Sequence, residues 1–182
     1  MSGETCDLLV IGGGPAGSTL AGLVEKCAPE RRVVLLEKAP GPRHHVGESL
    51  LPGIVPVLKE LGVYEKVDSA GFPRKIGANC QWGMNGKVWV NDFNDVNVSE
   101  MRARGGIPPK IEYAWQVRRS KYDEILLSHA EFLDVEVLRG SIAEDVLEGA
   151  DGRLAGARAF VSERALHGVL AFENGLPVEA AP

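Results

Sequence analysis

Three glycines at a fixed spacing, followed by an acidic residue, are the clearest candidates for chemistry in this sequence. Gly12, Gly14 and Gly17 follow a short apolar run, and Glu37 comes twenty residues after the last of them. In a strand–turn–helix unit, the first glycine permits a tight turn, the second lets a pyrophosphate approach the backbone, and the third lets helix and strand pack closely. The phosphates then face the N–H groups that begin the helix. The spacing therefore predicts a dinucleotide site.

Glu37 narrows the choice of dinucleotide. It ends a second apolar run, at 33–36, and its carboxylate can accept hydrogen bonds from ribose hydroxyls. An acid at this position disfavours a 2′-phosphate, so FAD or NAD is favoured over NADP. The alternative is a glycine turn in an α/β protein that binds nothing. Three neighbouring residues are counted with the cofactor-binding set: Pro15, Ala16 and Lys38.

Hydrophobic periodicity predicts the elements that must position this motif. Residues 7–11 and 33–36 predict buried parallel strands, and 16–27 predicts a helix. A second helix is predicted over 54–61, and Asn85-Gly86 predicts a hairpin turn. The apolar stripe expected to cover the sheet from the first helix consists of Ala16, Leu20, Leu23 and Cys27.

The second half of the chain predicts one helix and three short strands. Ser120 and Asp123 have the spacing of a capping box that begins the helix. The strands are expected at 135–138, 142–147 and 154–160, joined as a β-meander. A long loop is expected over 94–110, and residues 161–182 show no clear element.

Composition argues against several other classes of protein. The hydrophobic fraction is 45%, and the net charge of −5 includes no basic block, which argues against a nucleic-acid partner. Cys6, Cys27 and Cys80 form no C-x-x-C pair and no metal-ligand cluster, which favours a reducing cytoplasm. We find no signal peptide and no apolar run long enough to span a membrane. A cytoplasmic protein without a metal or a membrane partner is expected.

Four stretches of the chain together resemble flavin-dependent halogenases, which belong to a wider group of FAD monooxygenases. They are the glycine turn with Glu37, and residues 45–52, 71–83 and 115–123. The match runs in consistent order from about residue 5 to 160, which is far more specific than a glycine motif alone. It selects FAD over NAD. It implies an α/β, Rossmann-like FAD-binding domain of the glutathione-reductase type, with an incomplete sheet and an inserted antiparallel β segment.

The resemblance also implies a domain organisation and a length. Residues 4–160 correspond to the FAD-binding region, within which 70–117 form the inserted, substrate-side segment, and 161–182 form a divergent tail. Members of the family usually run to well over twice this length, and their later Gly-Asp and Trp-x-Trp-x-Ile-Pro motifs are absent here. We therefore expect a truncated N-terminal portion that binds flavin weakly.

The reaction and its residues follow from the same resemblance. Such enzymes receive reduced FAD from a separate flavin reductase, and with dioxygen and halide they form hypohalous acid, which is relayed to a lysine. Lys75 matches that lysine by its surrounding residues, Glu48 and Ser49 match the stretch beside the flavin, and Arg119 matches an arginine near the cofactor. The implied substrate is an aromatic or pyrrolic small molecule of secondary metabolism, free or tethered to a carrier protein.

Other interpretations of these residues stay open. The alternative for Lys75 is a surface lysine at the start of a strand, for Glu48 an acid that caps the next helix, and for Arg119 a solvated charge. If Lys75 does take part, its ammonium can donate a hydrogen bond to hypohalous acid, or its amine can capture the halogen as a haloamine. For the whole chain, the alternatives are an FAD monooxygenase or reductase of the same fold, or a truncated, inactive remnant.

Overall fold

The computed structural model describes residues 3–84, 86–93, 113–161 and 166–172, with only the backbone described for the last range. The chain divides into two compact units, of which the first contains residues 1–44 and 120–182 and the second contains residues 45–119. Asn85 and the loop predicted over 94–110 lie outside the described residues.

The helices and strands are numbered separately along the chain. The helices are α1 (Pro15–Cys27), α2 (Ile54–Leu61), α3 (Tyr64–Asp68) and α4 (Arg119–Phe132). The strands are β1 (Gly3–Cys6), β2 (Leu8–Ile11), β3 (Val33–Glu37), β4 (Arg74–Lys75), β5 (Gly77–Gln81), β6 (Val88–Asp92), β7 (Ala114–Trp115), β8 (Glu136–Arg139), β9 (Ile142–Glu148), β10 (Leu154–Val161) and β11 (Leu166–Phe172).

The first unit is organised around a parallel sheet in the order β2-β3-β8. All five residues of the central strand β3 are buried, as expected for a parallel strand that is covered on both faces. Val33 and Leu35 pack in a cluster with residues of α1 and α4, while Val34 and Leu36 pack in a second cluster with residues of β10. The predicted parallel pairing of the two strands is confirmed, and so is the burial of β3. The predicted burial of β2 is wrong for most of the strand, since only Val10 is buried and Ile11 is 56% exposed.

Helix α1 covers the sheet with a different face from the predicted one. Leu20, which the predicted stripe placed toward the sheet, is 51% exposed. A Cβ atom added at Gly17 would lie only 1.9 Å from the Gly12 carbonyl oxygen. Because the helix lies this close to the strand, only small residues fit between them. The buried residues of α1 are accordingly Ser18, Ala21 and Gly22.

The predicted β-meander is wrong at its first strand. Strand β8 follows α4 and joins the parallel sheet beside β3, which is the usual result of a strand–helix–strand crossover. Gly140, with a φ of 68°, lies between β8 and β9, and β9 instead pairs antiparallel with β10. These two strands belong to a second sheet, in the order β1-β11-β10-β9.

The prediction that residues 161–182 contain no clear element is also wrong. Strand β11 pairs antiparallel with β10 and parallel with β1. The sequence of β11 does not alternate cleanly between apolar and polar residues. The strand forms because it pairs with β10 and with β1, which lies at the other end of the chain. A sequence pattern carries little information about such a strand.

The second unit confirms the predicted helix at 54–61 and the predicted hairpin. Helix α2 ends at Gly62, whose φ of 87° permits the turn and whose N–H donates to the carbonyls of the preceding turn. Strands β5 and β6 pair antiparallel, and β4 pairs antiparallel with β7. Trp115 is fully buried, and its ring packs against those of Tyr64 and Tyr113.

Helix α4 begins at Arg119, one residue before the predicted start. Ser120 therefore lies inside the first turn, and the predicted capping bonds between Ser120 and Asp123 stay a prediction. In the first unit, Arg139 of β8 donates to Glu124 and Glu131 of α4 at 2.8–2.9 Å. These bonds raise the pKa of Arg139 and lower the pKa of Glu124.

None of the helices within the described residues is long and apolar enough to cross a membrane.

Candidate functional site

The glycine turn of the first unit has the backbone geometry of a phosphate-binding turn. Gly12 has a φ of 105°, which favours glycine, and its N–H donates to the Leu36 carbonyl at 2.8 Å. Gly14 is the N-cap of α1, and a Cβ atom added there would meet no atom within 4 Å. Within the described chain, no side chain caps this helix, and Pro15 occupies its first turn. The open space and the uncapped N–H groups fit a pyrophosphate.

Gly13 is bonded to side chains through both of its backbone polar groups. Its N–H donates to Oε2 of Glu37 at 2.6 Å, and its carbonyl accepts a hydrogen bond from Oγ of Ser18 at 2.9 Å. Ser18 is fully buried. Sequence reasoning assigned no role to Gly13 or Ser18, because nothing in the local pattern shows that a residue one turn into the helix reaches back to the glycine turn.

Glu37 lies at the end of β3, next to the turn, with only 9% of its surface exposed. Its second oxygen, Oε1, accepts a hydrogen bond from the N–H of Ala39 at 2.7 Å. A carboxylate oxygen has two lone pairs, so each oxygen keeps one acceptor position for a ribose hydroxyl. The predicted role of Glu37 toward ribose therefore stays a prediction that its chemistry permits. Lys38, the next residue, is exposed.

In the second unit, three separate segments form a ribbon, which we define as residues 48–50, 73–75 and 114–117. The N–H of Val117 donates to the Glu48 carbonyl at 2.7 Å, and the N–H of Leu50 donates to the Trp115 carbonyl at 3.0 Å. On the other side, the N–H of Gln116 donates to the Pro73 carbonyl at 2.9 Å. The ribbon thus joins three of the stretches on which the family resemblance was based.

Lys75 lies at one edge of this ribbon and is half-buried. Its Nζ donates to the Leu50 carbonyl at 3.2 Å and lies 5.1 Å from the centroid of the Phe93 ring, within cation–π range. Phe93 is itself buried. These contacts do not agree with a freely solvated surface lysine. Neither Leu50 nor Phe93 was predicted from the sequence, because their proximity to Lys75 arises only when the ribbon forms.

Arg119 and Glu48 are also held by the backbone of the second unit. Nη1 of Arg119 donates to the Val46 carbonyl at 2.6 Å, so this charge is bound to the loop before the ribbon. A Cβ atom added at Gly47, which has a φ of 87°, would lie 3.2 Å from the same nitrogen. Helix α2 has Gly53 as its N-cap without a side-chain cap, so Glu48 does not cap it.

Ser49 lies between Glu48 and Leu50 in the ribbon, where it forms an antiparallel bridge with Gln116, and its side chain is exposed. The structure therefore brings four predicted residues of the second unit into one bonded framework: Glu48, Ser49, Lys75 and Arg119. Their predicted contacts with a flavin stay predictions.

Two tyrosines and an ion pair stabilise the strand that carries Lys75. Arg74 forms an ion pair with Asp68 at 3.0 Å, and its guanidinium lies 4.4 Å from the centroid of the Tyr113 ring. The hydroxyls of Tyr64 and Tyr113 share a hydrogen bond, which together with burial raises the pKa of Tyr64 to about 12. The rings and the ion pair restrict the backbone of β4, and so the position of Lys75.

The first unit has a parallel sheet, a glycine turn that leads into a helix without a side-chain cap, and a buried acid at the end of the next strand. These features together define a dinucleotide-binding fold of the Rossmann type. The sequence profile of the tryptophan halogenase family matches residues 7–104, more than half of the chain. The chain belongs to this family, whose members are flavin-dependent enzymes. The resemblance stated from the sequence is confirmed.

Individual relatives agree with this family. A 1H-pyrrole-2-carbonyl-[peptidyl-carrier protein] chlorinase of Pseudomonas fluorescens is 38% identical over 154 residues, covering 80% of this chain and 33% of the relative. A tryptophan 2-halogenase of Chondromyces crocatus is 40% identical over 133 residues, covering 73% of this chain and 22% of the relative. The structure of CndH, a myxobacterial FAD-dependent chondrochloren halogenase, superposes with a TM-score of 0.78 at 35% identity, covering 93% of this chain and 36% of that one. The chain spans a third or less of the length of these two curated relatives.

Proposed function

We propose that this chain forms the cofactor-binding and lysine-bearing part of a flavin-dependent halogenase that acts on an electron-rich aromatic or pyrrolic substrate. The observation that carries the proposal is the position of Lys75. Its ammonium nitrogen is fixed by the Leu50 carbonyl within a ribbon that also contains Glu48 and Ser49. A lysine with a purely solvating role does not need such a framework.

The residues of each unit have separate tasks toward FAD. In the first unit, the turn from Gly12 to Gly17 would hold the pyrophosphate, with Pro15 and Ala16 beginning the helix, and Glu37 would accept from the ribose. In the second unit, the resemblance assigns Glu48, Ser49 and Arg119 to the flavin side. When bound and reduced, FAD supplies the electrons with which dioxygen is activated to oxidise halide to hypohalous acid.

Lys75 is suited to present that oxidant. One of its three N–H donors is taken by the Leu50 carbonyl, so two remain to bind the oxygen of hypohalous acid. A hydrogen bond to this oxygen stabilises the negative charge that develops on it as the halogen is transferred to an aromatic carbon. The carbon then loses its proton, and the oxygen leaves as water, which balances the substitution.

The substrate class and partners are proposed from the relatives. One relative is named for a pyrrole carried by a peptidyl-carrier protein and another for tryptophan. Both rings are electron-rich, so we propose an electron-rich aromatic substrate for this chain, with a carrier-tethered pyrrole as one specific candidate. A separate flavin reductase is the proposed source of reduced FAD.

The test uses the purified chain with reduced FAD, oxygen, bromide and an electron-rich phenol. Lys75→Ala is expected to reduce brominated product by on the order of a hundredfold, while the dissociation constant of FAD, followed by flavin fluorescence, stays unchanged. Lys87→Ala, which removes an exposed lysine of the same unit, is the matched control and should have no effect. A product that is hydroxylated but not brominated, or bromination that survives Lys75→Ala, would contradict the proposal.

A further inference from the structure

The middle glycine of the turn, Gly13, has both of its backbone polar groups bonded to side chains. Its N–H donates to the Glu37 carboxylate at 2.6 Å, and its carbonyl accepts from the Ser18 hydroxyl at 2.9 Å. The N–H belongs to the peptide between Gly12 and Gly13, and the carbonyl belongs to the peptide between Gly13 and Gly14. Two side chains therefore fix two successive peptide planes.

These two bonds determine where the neighbouring groups of the turn point. A trans peptide is planar, with its C=O and N–H directed to opposite sides. Because Ser18 holds the Gly13 carbonyl, the N–H of Gly14 points away from Ser18. Gly14 is also the position where an added Cβ atom meets nothing within 4 Å. An N–H whose direction is fixed at the start of a helix, at a residue with open space beside it, is suited to donate to an anion.

Both side chains are placed to hold the turn rigidly. Ser18 is fully buried, and Glu37 is 9% exposed, so the bonds lie in a low-dielectric environment where they are strong. The carboxylate is itself fixed, since its other oxygen accepts from Ala39 at 2.7 Å. A turn of three consecutive glycines otherwise has many accessible conformations. Fixing it before the ligand arrives lowers the ordering cost of binding.

We propose that Glu37 and Ser18 are positioning residues that hold Gly13, and through it the Gly14 N–H, in the conformation that receives the cofactor pyrophosphate. Glu37 then has a second task besides the ribose contact expected from the sequence, and Ser18 gains a task that the sequence did not assign. This proposal rests on the proposed FAD binding. It predicts that Glu37 contributes to affinity even for a ligand without ribose hydroxyls.

The first test compares two ligands on the full chain, FAD and an FAD analogue whose adenosine lacks the 2′- and 3′-hydroxyls. Glu37→Ala, which removes both acceptor oxygens, and Ser18→Ala are each expected to weaken the binding of the analogue by about tenfold, the usual effect of losing one buried hydrogen bond. Ser18→Ala should weaken FAD by the same factor, and Glu37→Ala should weaken FAD further because it also removes the ribose contact. Thr19→Ala, which removes a hydroxyl from the next position of the same helix, is the control and should leave both affinities unchanged. If Glu37→Ala leaves the affinity for the analogue unchanged, Glu37 acts only through the ribose and the proposal is overturned.

The second test needs no cofactor. In the ¹H–¹⁵N spectrum of the full chain, the short bond to Glu37 is expected to shift the Gly13 amide proton downfield and slow its exchange with solvent. Glu37→Ala should abolish both effects, and Ser18→Ala, the milder substitution, should move the Gly14 amide while the rest of the spectrum shows a folded chain. A Gly13 amide that is unshifted and exchanges rapidly in the wild-type chain overturns the proposal. A chain that shows the Glu37-dependent shift but binds no flavin overturns the proposed function and retains the positioning role.

Discussion

The glycine turn of the first unit and the ribbon of the second unit place their functional residues by different means. The turn is formed by residues 12–17, and its geometry depends on the absence of side chains at Gly12, which has a positive φ, and at Gly17, which lies against the Gly12 carbonyl. The ribbon is formed by three segments between residues 48 and 117, which meet mainly through backbone hydrogen bonds, with one side-chain bond from Lys75 to the Leu50 carbonyl. The residues of the turn are local in the sequence, although Leu36 and Glu37 of the next strand also bond to it, whereas the segments of the ribbon are far apart.

This difference determines what kind of change each region tolerates. A turn whose geometry depends on missing Cβ atoms is sensitive to the addition of a single methyl group. A ribbon held by backbone hydrogen bonds is insensitive to most side-chain changes but sensitive to the loss of one N–H. The two descriptions can therefore be tested by adding a methyl group in the turn and by removing an N–H group in the ribbon.

The largest effect is expected from Gly17→Ala in the first unit. The new methyl group would lie 1.9 Å from the Gly12 carbonyl oxygen, so the helix must move away from the strand. We expect a loss of about 3 kcal/mol in the free energy of unfolding, measured by urea denaturation, together with the loss of flavin binding.

Gly14→Ala is the matched control for that substitution. Its methyl group meets no atom within 4 Å, so the free energy of unfolding should change by less than about 1 kcal/mol. Flavin affinity should nevertheless fall, because the methyl group occupies the space proposed for the pyrophosphate. Equal destabilisation by the two substitutions, or unchanged flavin binding in Gly14→Ala, would contradict the local description of the turn.

The second prediction concerns the stability of the ribbon in the second unit. Gln116→Pro removes the N–H that donates to the Pro73 carbonyl, and we expect it to destabilise the second unit by roughly 3 kcal/mol. All three tryptophans, at positions 82, 89 and 115, lie in this unit, so tryptophan fluorescence during denaturation reports on it. Gln116→Ala keeps the N–H and should behave like the wild type. If the alanine variant is as unstable as the proline variant, the exposed side chain and not the backbone holds the ribbon.

The smallest effect is pH-dependent and belongs to the first unit. Arg139 lowers the pKa of Glu124 in the folded chain, so this carboxylate stabilises the fold above its ordinary pKa near 4.5. The contribution is lost as the pH falls through the depressed pKa. Glu124 is one-third exposed, so Glu124→Gln should cost only about 1 kcal/mol at pH 7.

The control for this prediction is the pH profile itself, followed by far-ultraviolet circular dichroism during urea denaturation. The difference in stability between the wild type and Glu124→Gln should shrink steadily as the pH is lowered below 4.5. A difference that stays constant from pH 7 into the acid range would show that Glu124 stabilises α4 through packing and not through its charge.

The sequence by itself determined the features that depend on backbone sterics and short-range periodicity. The glycine turn, strands β2 and β3, helix α2 and the β5–β6 hairpin follow from residue types at fixed local spacing, and the structure confirms them. The family could also be recognised, because its motifs are short stretches that keep their order along the chain. Glu37 was identified by its position at the end of an apolar run.

The tertiary structure decided which residues those elements bring together. Strand β8 joined β3 because α4 carries the chain across the sheet, and β11 exists because β1 and β10 pair with it. The contacts of Lys75 with Leu50 and Phe93, and of Ser18 with Gly13, join residues whose spacing carries no periodic signal. Hydrogen bonding and packing select such partners only after the chain has folded, so a one-dimensional pattern does not contain them.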